Sequence, residues 1–287
     1  MIISLLNTLL ILLLISNLQI FAQAKNGTFD EIKNSISMDA VKRHLQFLGS
    51  DLFEGRGTGT MGGNLAAKYL ALEFDQLNLI PIGDENTYYQ YIQMHGSFPN
   101  QNSELNLFFN DEKIELKLWE DYLLYRSGEQ TFIPNQLPLV FVGYGIIAPE
   151  FDYNDYQLID VAGKIVVCLS GEPNSDNENF FDADEPTIYS TPDAKQRIAL
   201  SRGARGCIII PKELIGKPKE WIAKQNLFSF EDVTLAYRVT SNLSLVINPV
   251  TANKLFLGSQ FSLNDILLKH ENNSIKSFEL KTKLSFS

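Results

Sequence analysis

Two apolar runs, "GKIVVCLSG" at 163–171 and "GCIIIP" at 206–211, flank a segment built to be a helix, "STPDAKQRIALSRGA" at 190–204. This unit restricts the fold more than any other stretch of the chain. Runs that are apolar at consecutive positions read as strands covered on both faces. Between them Thr191 can cap a helix, Pro192 suits its first turn, Asp193 complements its dipole and Gly203 ends it. A strand, a helix and a strand so spaced form a right-handed crossover, which makes the strands at 164–169 and 207–210 candidate parallel neighbours. The expected class is therefore mixed α/β.

The flanking sequence extends that sheet. "LPLVFVGYGI" at 137–146 is a further buried strand, and "LSLVINPVTANKLFL" at 243–257 repeats the order of strand then helix. "ELNLFFNDEKIELKLW" at 104–119 alternates around Asn110-Asp111, which predicts a hairpin. "FELKTKLSFS" at 278–287 alternates again. Ahead of a polar break at "FPNQNSE" (98–104) the character is different: helix, glycine bend, helix, then a tyrosine-rich stretch.

The glycine bend contains Gly57-Thr58-Gly59-Thr60-Met61-Gly62, which spells the dinucleotide-binding fingerprint. That fingerprint works only when a buried strand delivers the chain to it. Here Val41, Leu45 and Leu48 recur at helical spacing, Gly49 stops that helix, and "SDLFE" is too short and polar for a strand. Downstream, "GNLAAKYLALEFDQL" at 63–77 is a helix with Leu65, Tyr69 and Leu72 on one stripe and Ala66, Leu70, Phe74 and Leu77 beside it. The expectation is a bend between two helices, with Glu54 and Arg56 as an internal latch whose guanidinium clamps carbonyls or a carboxylate.

The first 21 residues run largely apolar into Ala22-Gln23-Ala24, a small-residue cleavage pattern. Removal of a signal peptide at 1–24 is expected, leaving an exported chain (periplasmic, secreted or cell-surface) with no stable membrane span; a retained anchor is the competing reading. A formal charge of −10 disfavours nucleic acid and anionic membranes as partners. The two cysteines, Cys168 and Cys207, sit in strand-like runs, and a bridge and buried thiols both stay open.

Catalytic patterns are absent. The three histidines, His44, His95 and His270, are isolated, no H-E-x-x-H or G-x-S-x-G occurs, and there is no phosphate loop. The acid clusters Asp84/Glu85, Asp152/Asp155 and Asp182/Asp184/Glu185 lack calcium-loop spacing and read as solvated loops. One candidate binding loop remains, the acidic and aromatic stretch "APEFDYNDYQLIDVA" at 148–162, with Asp152, Tyr153, Asp155 and Tyr156.

"HLQFLGSDLFEGRGTGTMGGNLAAKYLALEFDQLNLIPIG" at 44–83 resembles the opening of exported co-catalytic zinc aminopeptidases, metallopeptidase family twenty-eight, through Ser50, Asp51, Glu54, Gly55 and Arg56. "LVFVGYGIIAPEFDYNDYQLIDVAGKIVVCLSGEP" and "KQRIALSRGARGCIII" resemble the protease-associated (PA) domain inserted in many members. The resemblance implies an N-terminal helical segment at 25–100 of the peptidase type, then a PA domain of mixed strands with flanking helices and a return strand at 101–287. In the intact family it implies zinc and a water, activated between two metal ions, attacking an N-terminal peptide bond. The family's ligands lie downstream of the inserted domain, so no catalytic or metal residue carries over and no cofactor is expected in this chain. The implied role is to shape access to the active site or to bind peptide substrate. The expected partner is the missing peptidase domain, or a separate chain carrying it. The alternative is a free-standing exported PA module binding peptides or proteins.

Overall fold

In a computed structural model of the chain, the described residues are 31, 33, 35–125, 131–174, 180–181, 185–229, 231–236 and 242–287. The expected signal peptide, and Asp182 and Asp184, lie outside them. Among the described residues no helix is long and apolar enough to cross a membrane. The class is mixed α/β, and the chain divides into two compact units between Tyr91 and Ile92.

The first unit is a helix, a bend and a helix. Helix α1 (Met38–Leu48) starts where the Ser37 side chain accepts from the Ala40 amide. It stops at Gly49, whose N–H reaches back to the Leu45 carbonyl at 2.8 Å. "SDLFE" is no strand: Asp51–Arg56 forms a tight 3-10 turn containing left-handed Glu54, Gly55 and Arg56. Helix α2 (Met61–Gln76) then begins under a Thr60 cap. The glycines have a steric reason: a Cβ on Gly62 would lie 1.8 Å from the Phe53 carbonyl oxygen, and one on Gly63 2.4 Å from that of Gly57. The turn can pack against α2 only where α2 has no side chains.

Every strand among the described residues lies in the second unit. In chain order these are β1 (Met94–Ser97), β2 (Leu105–Phe109), β3 (Glu112–Leu116), β4 (Tyr122–Leu124), β5 (Ile133–Phe141), β6 (Ile147–Ala148), β7 (Tyr153–Asn154), β8 (Ile165–Leu169), β9 (Gly206–Ile210), β10 (Asp232–Leu235), β11 (Leu243–Ile247) and β12 (Phe278–Phe286). Its helices are α3 (Pro192–Ser201), α4 (Pro218–Phe228), α5 (Pro249–Ala252) and α6 (Leu263–Glu271). Eight strands form one sheet in the order β3-β2-β12-β5-β8-β9-β11-β4, while β1 pairs with β10 and β6 with β7. Because β1 pairs with residues 232–235, the second unit starts ahead of the polar break at 98–104.

β5, β8, β9 and β11 run parallel at the centre, with Val140 opposite Val166, Val166 opposite Cys207, and Cys207 opposite Ser244. All fifteen residues of β8, β9 and β11 are buried, as their unbroken apolar sequences require. One face packs Val140, Val166, Cys168, Cys207 and Ile209 against Ala199 of α3. The other packs Phe141, Val167, Ile208 and Leu245 with Ala252 of α5 and with Leu263 and Ile266 of α6. The β2-β3 hairpin turns at Asn110 and Asp111, with φ of 49° and 63°, the pair of left-handed residues a tight hairpin needs. β12 alternates in burial and lies between β2 and β5, antiparallel to both.

Leu284 of β12 is fully buried and pairs with Leu107 on one side and Leu137 on the other. L284A should cost about 2–5 kcal/mol in urea unfolding, whereas K283A, at an exposed position of the same strand, should stay within about 0.5 kcal/mol.

Candidate functional site

The residues singled out in the first unit close a small bridge. The Arg56 guanidinium donates to the Leu48 carbonyl, tying the end of α1 to the 3-10 turn. Glu54 is exposed and is not paired with it. His44 Nδ1 lies 2.6 Å from Tyr69 Oη, and the Phe47 ring sits 5.1 Å from Phe53 and 4.6 Å from Tyr69. An aromatic cluster thus joins α1, the turn and α2. At the start of α2 the Gly63 amide is capped by Thr60 Oγ1 at 3.2 Å.

In the second unit the loop after β5 is organised by Asp155. Its Oδ2 accepts from the amides of Tyr144 and Ile146, each at 3.0 Å, and its Oδ1 accepts from Tyr153 Oη at 2.8 Å. Gly143, at φ 40°, passes so close that a Cβ there would lie 2.3 Å from Oδ1. Burial raises the Asp155 pKa to about 6, although the three donors pull the other way. Tyr156 is buried with its hydroxyl unpartnered, and Asp152 alone of the four loop candidates is exposed. Asp155 and Tyr156 are therefore turned into the fold while Asp152 faces out.

The turn held by Asp155 sets Tyr144 in a basic cluster that spacing along the chain does not announce. Lys195 of α3 is 0% exposed, and its Nζ donates to the carbonyls of Tyr144 at 2.7 Å and Gly171 at 2.5 Å. Tyr144 Oη is hydrogen-bonded to His270 Nδ1 on α6. His270 Nε2 faces Lys212 Nζ at 3.2 Å and Asn174 Nδ2 at 3.4 Å. Both lysines stand by the Tyr144 ring, with Nζ 5.9 Å and 5.3 Å from its centroid. Burial lowers the pKa of Lys195, of Lys212 and of His270; the charge of Lys195 adds to the effect on Lys212, and that of Lys212 to the effect on His270. A neutral imidazole that accepts from the Lys212 ammonium carries its proton on Nδ1 and donates it to Tyr144. The one sequence clue to this cluster is that Lys195 and Ala199 are four residues apart, on the covered face of a helix.

A cleft of about 790 Å³ opens beside this cluster, at the carboxyl ends of β8 and β9. The loop after β8 (Ser170, Glu172, Asn174) and the loop after β9 (Lys212, Glu213) line it, with Lys224 and Phe228 of α4 opposite. The ends of parallel strands are where open α/β sheets leave room for ligands.

The remaining candidates do not converge. His44 is on α1, His95 on β1 and His270 on α6. Among the described residues no group of three or more His, Cys, Asp or Glu is placed to hold a metal. His270, its two ring nitrogens facing Tyr144 and an ammonium, is a poor zinc ligand, so the described residues do not fit the zinc that the resemblance implies for the intact family. Cys168 and Cys207 are buried free thiols whose sulfurs lie 3.9 Å apart, against about 2.05 Å in a disulfide. They are two residues out of register on adjacent strands. Asp84 accepts from the Tyr91 amide at 2.7 Å, a loop contact.

No family model matches the chain, and no curated protein does. Among solved structures it is similar to an aminopeptidase from Aneurinibacillus sp. strain AM-1, at 14% identity and a TM-score of 0.34, over 87% of this chain and 46% of that one. It is also similar to BSAP, a zinc aminopeptidase from Bacillus subtilis, at 15% identity and a TM-score of 0.29, over 85% and 43%. The chain spans less than half the length of either. At TM-scores this low the likeness carries no argument about the site.

Asp155 provides a pH test. Its folded pKa of about 6 lies above the roughly 4 of an unfolded aspartate, so the folded state holds the proton more tightly. The resulting stabilisation is complete below about pH 4 and is lost as pH rises through about 6. Relative to D155N, whose amide does not titrate, the wild type should lose on the order of 1–3 kcal/mol across that window. Thermal melts of both proteins from pH 4 to 7.5 give the difference; a constant gap would refute the account.

Proposed function

We propose that this chain is the non-catalytic front portion of an exported zinc aminopeptidase: a helical arm at 25–100 and a PA-type domain at 101–287 that shape substrate access for a peptidase sheet carried elsewhere. The reading is supported by the Ser50-Asp51, Glu54-Gly55-Arg56 pattern and its glycine bend. One structural observation carries the part about a missing partner. Leu65, Leu70, Leu72 and Phe74 of α2, and Leu77 just after it, are 38, 43, 58, 40 and 67% exposed, although Ala66 is buried, Tyr69 packs on Phe47 and Phe74 meets Tyr88, so among the described residues the apolar side of α2 is covered only in part. Large apolar side chains contribute about 1.5–3 kcal/mol each when fully buried, so a partner covering this face would gain several kcal/mol. Several large apolar side chains left half-exposed along one helix support an interaction surface there.

A second reading, a free-standing exported binding module, is favoured by the 790 Å³ cleft at the ends of β8 and β9, which needs no other polypeptide to exist. The two readings separate on the α2 face.

The purified full chain should hold no stoichiometric zinc and should release no nitroaniline from leucine p-nitroanilide, with or without added zinc. It should bind the dye ANS strongly, and L70S/F74S should reduce that binding severalfold. Stoichiometric zinc with zinc-dependent hydrolysis would overturn the proposal. A monomer with no ANS signal would overturn it in favour of the binding module.

A further inference from the structure

The cleft wall contains an amine with an unusual set of neighbours. Lys212 lies two residues past the end of β9, and its amide donates to Ser170 Oγ at 2.9 Å, which holds the residue over the loop after β8. Its side chain crosses Gly171 so closely that a Cβ there would lie 3.2 Å from Lys212 Cε. At the tip, Nζ has the Glu172 carbonyl at 3.4 Å, His270 Nε2 at 3.2 Å and the Tyr144 ring below. The nearby carboxylates are used elsewhere. Glu172 accepts from the Thr187 amide at 3.0 Å and from its hydroxyl at 2.5 Å, and Glu213 accepts from Ser170 Oγ. The deeper charges around the same turn are the Lys195 ammonium and Asp155, the latter occupied by Tyr153 and two amides.

The amine therefore sees one cation, one neutral base and the Glu213 and Glu172 carboxylates, which favour its charged form but are outweighed by burial and Lys195; it is ion-paired to neither, and it lines the cleft. Burial and a second ammonium both favour its uncharged, nucleophilic form, the arrangement that activates lysines for imine chemistry. His270 Nε2 is within hydrogen-bond reach to accept the proton that the amine sheds on attack.

We propose that Lys212 is a nucleophilic amine and that the cleft takes a small aldehyde as an imine on its Nζ. The nitrogen lone pair forms a bond to the carbonyl carbon, and the C=O π pair moves to oxygen. The proton leaving nitrogen passes through His270 to that oxygen. The nitrogen lone pair then forms C=N as the C–O bond breaks, and the remaining N–H proton, passed through His270, leaves with the hydroxyl as water, so that amine plus aldehyde yields imine plus water with no oxidant or reductant. The proposal needs only the second unit and is independent of both readings above.

The test uses the full chain treated briefly with propionaldehyde and cyanoborohydride, which traps imines, between pH 6 and 9, followed by peptide mapping. Lys117 and Lys217, exposed and each beside a glutamate three residues on, are the internal standards. At pH 7 Lys212 should be alkylated at least about tenfold faster than either, with a rate profile displaced to lower pH. The advantage should disappear in guanidinium. H270Q should slow Lys212 alone, by severalfold, without moving the standards. Equal rates for Lys212, Lys117 and Lys217 at every pH, or an advantage that survives unfolding, would overturn the proposal. The comparison is made within the wild-type chain, so it does not depend on a variant folding.

Discussion

The second unit depends on the backbone pairing of β12. This strand lies between β2 and β5, antiparallel to both, and nothing else in the eight-stranded order joins the β2-β3 hairpin to the parallel strands. Without it, β2 and β5 would each present an open edge of unpaired amides and carbonyls, with the apolar face beneath uncovered. Its inward residues finish the same cluster that α5 and α6 seal: Leu280, Leu284 and Phe286 join Phe141, Phe256 and Ile266. Thr282 is buried in that row and satisfied by donating to the Leu255 carbonyl at 2.7 Å. One strand thus joins the sheet and also closes one side of its core.

The local parts of this architecture were legible from composition and spacing, and the long-range parts were not. Unbroken apolar runs marked β8, β9 and β11, because a strand covered by helices on both sides needs apolar residues at both parities. Asn110-Asp111 marked the hairpin because few residue pairs tolerate two successive left-handed conformations. Thr191, Pro192 and Asp193 marked the start of α3 for equally local reasons. The alternation of "FELKTKLSFS" indicated a strand with one covered face, but gave no sign that both of its edges are paired. That information sits in β2 and β5, more than a hundred residues away.

The cluster around Tyr144 was hidden for the same reason. Its members come from the loop after β5, from α3, from the turn after β9 and from α6, and Tyr144 and His270 are separated by 126 positions. Along the chain His270 is isolated, and Asp155 reads as part of an acidic, aromatic loop. In the fold Asp155 closes the turn that begins at Gly143, a glycine whose missing Cβ makes room for the carboxylate. That turn presents the Tyr144 carbonyl to Lys195 and the Tyr144 hydroxyl to His270, so an acid that looked like a ligand-binding residue acts as the support for a basic cluster.

The basic cluster sits in a chain of formal charge −10, and the two facts act over different distances. Net charge decides what approaches the molecule from solution, and it disfavours polyanions. Within a cleft the field is set by groups a few ångströms away, because charges beyond about 8 Å are largely screened at physiological salt while partly buried ones are not. Around Lys212 those groups are a second lysine, a neutral histidine and carbonyl dipoles, and the nearest carboxylates are already bound to Thr187 and Ser170. The ends of β8 and β9 therefore bring Lys212 and Lys224 together with Glu172, Glu185 and Glu213, and the charge state of each group there follows from its neighbours rather than from the composition of the chain.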